Sequence, residues 1–157
     1  MTRVIITQAP LPALPAVRRL FADAVRVHFA YFPDDIQSRI IAEHNLPKLL
    51  LATIDRRRII LIARRHGRIV GYCLGAAPVS GPAQLFWLYV DPDQRGANIG
   101  LSLLSRMIKL LSKKGAREIA IATHDHRKYY ERQGFKYRRH TVQDGVEMDI
   151  LTYRVTA

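Results

Sequence analysis

One stretch restricts what this chain can become more than any other. Leu85-Phe86-Trp87-Leu88-Tyr89-Val90 is an apolar run of strand length with aromatic and β-branched character. From Leu101 to Leu111, apolar residues fall at Leu103, Leu104, Met107, Ile108, Leu110 and Leu111, the spacing of an amphipathic helix. Asp91-Pro92-Asp93-Gln94-Arg95-Gly96-Ala97-Asn98-Ile99-Gly100 joins the two. A strand, a glycine-containing loop and a helix in this order aim backbone N–H groups and the positive end of a helix dipole at one point. A pyrophosphate fits such a point.

The spacing separates the phosphate-binding loops. A P-loop needs Gly-Lys-Ser/Thr at the helix start, and a dinucleotide fingerprint needs three glycines and an acidic residue about twenty positions on. Here only Gly96 and Gly100 are in place, and Pro92 lies between strand and loop. Read from Val90 to Gly100, Val-x-Pro-x-x-Arg-Gly-x-Asn-Ile-Gly resembles motif A of the GNAT superfamily of N-acetyltransferases. In that family the loop binds the pyrophosphate of acetyl-coenzyme A. Asn98 stands where the family usually has glycine. Asparagine is the side chain that best tolerates a left-handed backbone, so the turn survives, with a side chain added beside the phosphate. Further on, Tyr130-x-x-x-Gly134-Phe135 resembles the family's second signature, carried by the helix behind motif A.

Arg3 to Thr7 reads as a first strand, broken by Pro10, Pro12 and Pro15. Val17, Leu20, Phe21, Ala24, Val25, His28 and Phe29 repeat as a first helix. After a turn at Phe32–Asp35, a second helix is expected with Asp35 as its cap, carrying Ile36, Ile40, Ile41 and, beyond Pro47, Leu49 to Ile54. Arg56-Arg57-Arg58 is the solvated approach to a hairpin. Its strands are Ile59–Ala63 and Ile69–Ala76, joined at His66-Gly67. Lys113-Lys114-Gly115 stops the motif-A helix, Ile119–Thr123 is a strand, and Arg127–Phe135 contains the last helix. Lys136–Val142 and Met148–Val155 are two strands about an Asp144-Gly145 turn. The order β-α-α-β-β-β-α-β-α-β-β is that of the GNAT fold. It implies an α/β (α+β) domain over 1–157, with a mixed sheet of about six or seven strands and about four flanking helices.

Length and a hydrophobic share of 48% suit one globular domain. No apolar run is long enough to span a bilayer, and the N-terminus lacks the regions of a leader peptide, so a cytoplasmic protein is expected. Cys73, the single cysteine, reads as a buried core thiol. Neither the six histidines nor His124-Asp125-His126 has the spacing of a metal cage. The formal net charge of +12 asks for an anionic partner. Nucleic acid or a ribosome is one reading. A solvated basic surface is preferred, because no aromatic-interleaved RNA-binding pattern appears.

The resemblance implies transfer of an acetyl group from acetyl-coenzyme A to a primary amine by direct attack in a ternary complex. It implies pyrophosphate binding by backbone donors of Arg95, Gly96, Ala97, Asn98, Ile99, Gly100 and Leu101. It pairs the pantetheine arm with the free edge of the central strand at Leu88 and Val90, and places an oxyanion donor at the N–H of Tyr89 or Val90. Thr123 falls at a cofactor-contacting position that is often asparagine in the family. Tyr130 matches the general acid that protonates the leaving thiolate, although packing beside Tyr129 would also account for it. The central strand carries no carboxylate, so the general base stays open among His124, Asp125, Glu118 and a water relay. Asp34, Asp35 and Glu43 form an acidic group that reads more simply as helix-end charge than as an attractor for the amine. A coenzyme A-binding regulator without catalysis and a basic nucleic-acid-binding module are the alternatives, and a homodimer stays open.

Overall fold

A computed structural model describes residues 3–156; Met1 and Thr2, with which the leader-peptide reading begins, and Ala157 lie outside them. Strand β1 (Ile5–Gln8) leads through a 3-10 turn at Leu11–Ala13 into α1 (Leu14–His28). Then follow α2 (Asp34–Glu43), α3 (Leu46–Ile54), β2 (Arg58–Arg65), β3 (Arg68–Ala76) and β4 (Ala83–Val90). After a 3-10 turn at Pro92–Gln94 come α4 (Ile99–Lys113), β5 (Glu118–Thr123), α5 (Arg127–Arg132), β6 (Lys136–Gln143) and β7 (Val146–Arg154). The seven strands form one mixed sheet in the order β1-β2-β3-β4-β5-β7-β6. No helix among the described residues is long and apolar enough to cross a membrane.

Two expectations for the N-terminal half need correction. The expected second helix is two helices, α2 and α3, so five rather than four α-helices flank the described sheet. Proline is accepted in a first helical turn but clashes with the preceding turn in a helix interior. Pro47 therefore requires a fresh start, and the Asn45 side chain supplies it by accepting from the Lys48 N–H at 2.9 Å. Asp35 is not a cap; it lies in the first turn of α2, whose capping position is Pro33. Pro15 likewise does more than end β1, because it sits in the first turn of α1.

Alternation in β2 divides the core into two layers. Ile59, Leu61 and Ala63 face α4, packing with Leu103, Leu104, Met107 and Leu111. Ile60 and Ile62 face α1 and α3, packing with Val17, Phe21, Leu49 and Tyr72. Each fully buried aliphatic side chain contributes about 1.5–3 kcal/mol, so both helix layers are clamped to the sheet. The hairpin turns follow local chemistry: His66 and Gly67 have φ of 53° and 75°, and Asp144 and Gly145 have φ of 51° and 77°. Two successive positive φ values match the right-handed twist of the strands they connect.

The sheet is open where β4 meets β5. These parallel strands pair only at Ala83↔Ile119 and Gln84↔Ala120. On the other side of β4, Leu74 pairs with Trp87 while Gly75 pairs with Leu85, so Phe86 is an inserted bulge residue. A bulge increases local twist and bends its strand. Beyond Phe86, β4 stays with β3 and leaves β5.

Candidate active site

The gap between β4 and β5 opens into a cleft of about 740 Å³ that joins the two faces of the sheet. Its α4-side wall includes Arg95, Gly96, Asn98, Ile99, Gly100 and Leu101, with Tyr129 and Tyr130 of α5. Ala97, expected with the loop, does not line it. Asn98 has φ 57° and ψ 24°, the left-handed conformation anticipated from its side chain, and that side chain makes no capping hydrogen bond. The first N–H groups of a helix have no intrahelical acceptor. Here neither the cap side chain nor an acidic first-turn residue answers them. Asn98, Ile99, Gly100 and Leu101 thus present donors, and the positive end of the α4 dipole, to the cleft. Asn98→Gly is expected to retain this loop, whereas Asn98→Val should cost about 1–2 kcal/mol, the penalty for an L-residue held in that region. Equal melting temperature and equal anion affinity in the two variants would contradict the backbone argument.

The free edge of β4 follows from its pairing with β3. The Asp91 N–H donates to Val70 O at 2.8 Å, and pairs bonded toward one neighbour alternate along an antiparallel ladder. Tyr89 and Trp87 therefore turn their peptide groups toward β3, and Leu88 and Val90 turn theirs into the gap. The Arg95 Nε donates to Val90 O at 3.3 Å, consistent with that direction. Of the two expected oxyanion donors, the Val90 N–H faces the cleft and the Tyr89 N–H is taken up by the ladder. The Tyr89 side chain packs on the α1 face; burial, then the nearby Asp91 carboxylate, pushes its pKa up to about 12.

Tyr129 and Tyr130 both reach the cleft, at different places. A Cβ on Gly100 would lie 3.4 Å from the Tyr129 hydroxyl, which puts Tyr129 beside the anion-facing turn. Tyr130 packs edge-on to Phe135 with ring centroids 5.5 Å apart. The chain is turned back into β6 by Gly134 at φ 95°. Burial pushes the Tyr130 phenol well above its ordinary value, with smaller contributions from Cys73, Tyr129 and Tyr31. It therefore stays protonated through the neutral range.

The base candidates separate. Glu118 begins β5, opposite Arg154, at the far end of the strand from Thr123, which lines the cleft. His124 is exposed and does not line the cleft; its ring stacks on Tyr31 at 4.3 Å and its Nδ1 lies 2.8 Å from Glu147 O. Asp125 lies 3.2 Å from His126 Nε2, and His126 does line the cleft, its N–H donating to Thr123 Oγ1 at 3.1 Å. His126 read as part of a surface turn in the sequence, and no local pattern marks it as facing inward. His28, at the end of α1, lines the opposite wall beside Tyr89. Asp34, Asp35 and Glu43 do not line the cleft. Cys73 is fully buried, and burial pushes its thiol pKa up, so it offers no nucleophile. Among the described residues, no group of three or more metal-ligating side chains is gathered.

Known proteins share this fold. A family model described as an acetyltransferase (GNAT) domain matches residues 56–137. An uncharacterized N-acetyltransferase of Mycobacterium tuberculosis is 27% identical over 111 residues, spanning 68% of this chain and 71% of that protein. The PaiA N-acetyltransferase of Thermoplasma acidophilum, solved in complex with coenzyme A, superposes with a TM-score of 0.81 at 19% identity, over 98% of this chain and 99% of that one. The Salmonella typhimurium protein yncA, solved with acetyl-coenzyme A, gives 0.71 at 18% identity, over 96% and 93% of the two chains.

Proposed function

This chain belongs to the GNAT family of acetyltransferases, and on that premise we propose that it moves an acetyl group from acetyl-coenzyme A to a primary amine by direct attack within a ternary complex. The observation that carries this reading is the cleft through the sheet. Its α4 side ends in unanswered helix N–H donors, and its α1 side is open to a second reactant.

The residues fit the cosubstrate. The donors of Asn98, Ile99, Gly100 and Leu101 would hold the pyrophosphate, with the Gly96 turn giving the backbone close approach. The free peptide edge at Leu88 and Val90 would pair with the pantetheine amides as an added strand does, and Thr123 lies across the gap. Acetyl-coenzyme A supplies an activated thioester. The Val90 N–H is the donor aimed where a carbonyl oxygen gains negative charge. Tyr130, protonated and lining the same cleft, gives its proton to the departing sulfur.

Direct attack is favoured because none of the described residues lining the cleft is a cysteine or serine, and the Thr123 hydroxyl is bonded to the His126 N–H. A route through an acyl-enzyme would need such a nucleophile. The amine must lose a proton to attack. His126 and His28 are the imidazoles at the cleft wall, and imidazole is the side chain most often used as a general base.

Acetyl-coenzyme A at about a hundred times its dissociation constant should stabilise the fold by ~2.7 kcal/mol, raising Tm by roughly 5–10 °C for a domain of this size. Arg95→Glu should reduce the shift, since it places a negative charge at the loop. Free thiol should then appear only when an amine is added. Millimolar cosubstrate that leaves Tm unchanged would refute the proposed site. A full shift with no amine-dependent thiol release from any acceptor would make the protein a binding member without catalysis.

A further inference from the structure

The half of the cleft on the α1 face is built differently from the half facing α4. Phe29, Tyr31, Phe32, Ile40, Trp87 and Met148 wall it. The rings brace one another: Phe29 stands edge-on to Trp87 with centroids 5.1 Å apart, and edge-on to Tyr31 at 5.8 Å. Tyr31 leans on Phe32 at 5.0 Å and stacks on His124 at 4.3 Å. Phe32 is in turn buried against Val146 and Met148, which anchors the α1–α2 connection to β7. The rings thus form one mutually braced wall.

Its electrostatics are equally specific. Asp144 is the one carboxylate among the cleft-lining residues described, and at the rim it is ion-paired with Arg39 of α2. Asp125 and Asp91 are close by but do not line the wall: Asp125 lies 3.2 Å from His126 Nε2, and Asp91 lies beside the Tyr89 hydroxyl. An acceptor with several ammonium groups would bring charges that this half of the cleft does not answer, and burying an unpaired charge is strongly unfavourable. An acceptor with one nitrogen and an apolar body loses nothing of that kind and gains ring-on-ring contact with the wall.

From this contrast, and resting on the acetyl-transfer reading above, we infer that the acceptor is a small primary monoamine carried on an aromatic or similarly bulky apolar body. Polyamines, aminoglycosides and other polycations are not its substrates. The nitrogen enters from the α1 face toward Tyr130, and the body lies against Trp87 and Phe29.

The test is a thiol-release comparison using phenethylamine, ethylamine, spermidine, kanamycin and a short alanyl peptide, with acetyl-coenzyme A saturating. Phenethylamine should exceed ethylamine about 10–100-fold in kcat/KM, the range expected for burying one phenyl ring. Spermidine and kanamycin should fall below phenethylamine by at least a similar factor. Ile40→Glu, a half-buried position on the wall, should lower phenethylamine turnover and raise that of spermidine while the acetyl-coenzyme A thermal shift persists. Spermidine, kanamycin or the peptide matching or outrunning phenethylamine in the unmodified protein overturns the acceptor class, whatever the variant does. So does a full cosubstrate shift in which none of these amines releases thiol while another acceptor does. Absence of the cosubstrate shift would overturn the underlying acetyl-transfer reading instead, so the two failures are distinct.

Discussion

Tyr130→Phe is expected to slow the chemical step by ~10²–10⁴-fold while acetyl-coenzyme A affinity changes little, because the substitution keeps the ring against Phe135 and deletes only the donor proton. The effect should fall on kcat, as it does when an interaction made only in the transition state is lost. Since burial holds the phenol pKa above its ordinary value, any loss of kcat from its ionisation should lie above about pH 10. Tyr129→Phe is the informative comparison. Its hydroxyl stands at Gly100, beside the anion-facing turn, so its removal should weaken cosubstrate binding and leave the chemical step nearly intact. Thiol release under saturating amine, with chemistry shown to limit the rate, distinguishes these. Full activity in Tyr130→Phe removes it as the acid, and a large kcat loss in Tyr129→Phe transfers the role one residue back.

A single methyl at Gly71 should be nearly as disruptive to the fold beneath the site. A Cβ there would stand 2.8 Å from the Tyr89 carbonyl oxygen and 3.2 Å from Leu103 Cδ1. The oxygen belongs to β4, whose ladder holds it, so the strand itself must shift. Overpacking of this kind costs roughly 1–3 kcal/mol, which for a domain of this size lowers Tm by roughly 2–12 °C. Displacing β4 at Tyr89 also moves the neighbouring free edge at Leu88 and Val90. Gly71→Ala should therefore blunt the thermal shift given by acetyl-coenzyme A as well as lower the starting Tm. At Gly75, four residues along the same strand, a Cβ would stand 2.9 Å from Met107 Sδ, the end of a flexible side chain, and 3.2 Å from the Gln84 carbonyl oxygen, where a shift of a few tenths of an ångström suffices. Gly75→Ala should be the milder of the two and spare the cosubstrate shift. Equal tolerance of both substitutions by calorimetry would contradict the close approach of β3 and β4.

Part of the basic charge lies away from the cleft. Arg56 and Lys114 are joined by a hydrogen bond, and they lie with Arg58, Lys113 and Arg117 around the strand starts of β2 and β5, at the end of the sheet away from the cleft. Other cations stand at the loop that opens α4: Arg95 lines the cleft, and Arg65 donates to Gln94 Oε1 at 3.1 Å.

Features set by neighbours along the chain are legible in the sequence. Asn98 adopts the left-handed turn its side chain tolerates, His66-Gly67 and Asp144-Gly145 close their hairpins, and Gly115, with φ 92°, follows the end of α4. These depend on sterics and hydrogen bonds within a few residues, so residue identity and spacing carry them. For the same reason the position of Tyr130 before the Gly134 turn could be counted directly. The break between α2 and α3 was also written locally, in Asn45 and Pro47, and the apolar periodicity running across it concealed the signal. The cleft had no such local record. It exists because Phe86 is inserted opposite β3 and because β4 then stops pairing with β5, an outcome settled by the registers of three strands together. That geometry turns His126 to the cleft and leaves His124 outside it, though the two are neighbours in the chain. It also brings Arg39 to Asp144 across 105 residues and sets the α1–α2 aromatics opposite the phosphate-binding turn. Side-chain chemistry is a property of residues, whereas which chemistries meet depends on where long-range pairing ends, and only the folded sheet decides that.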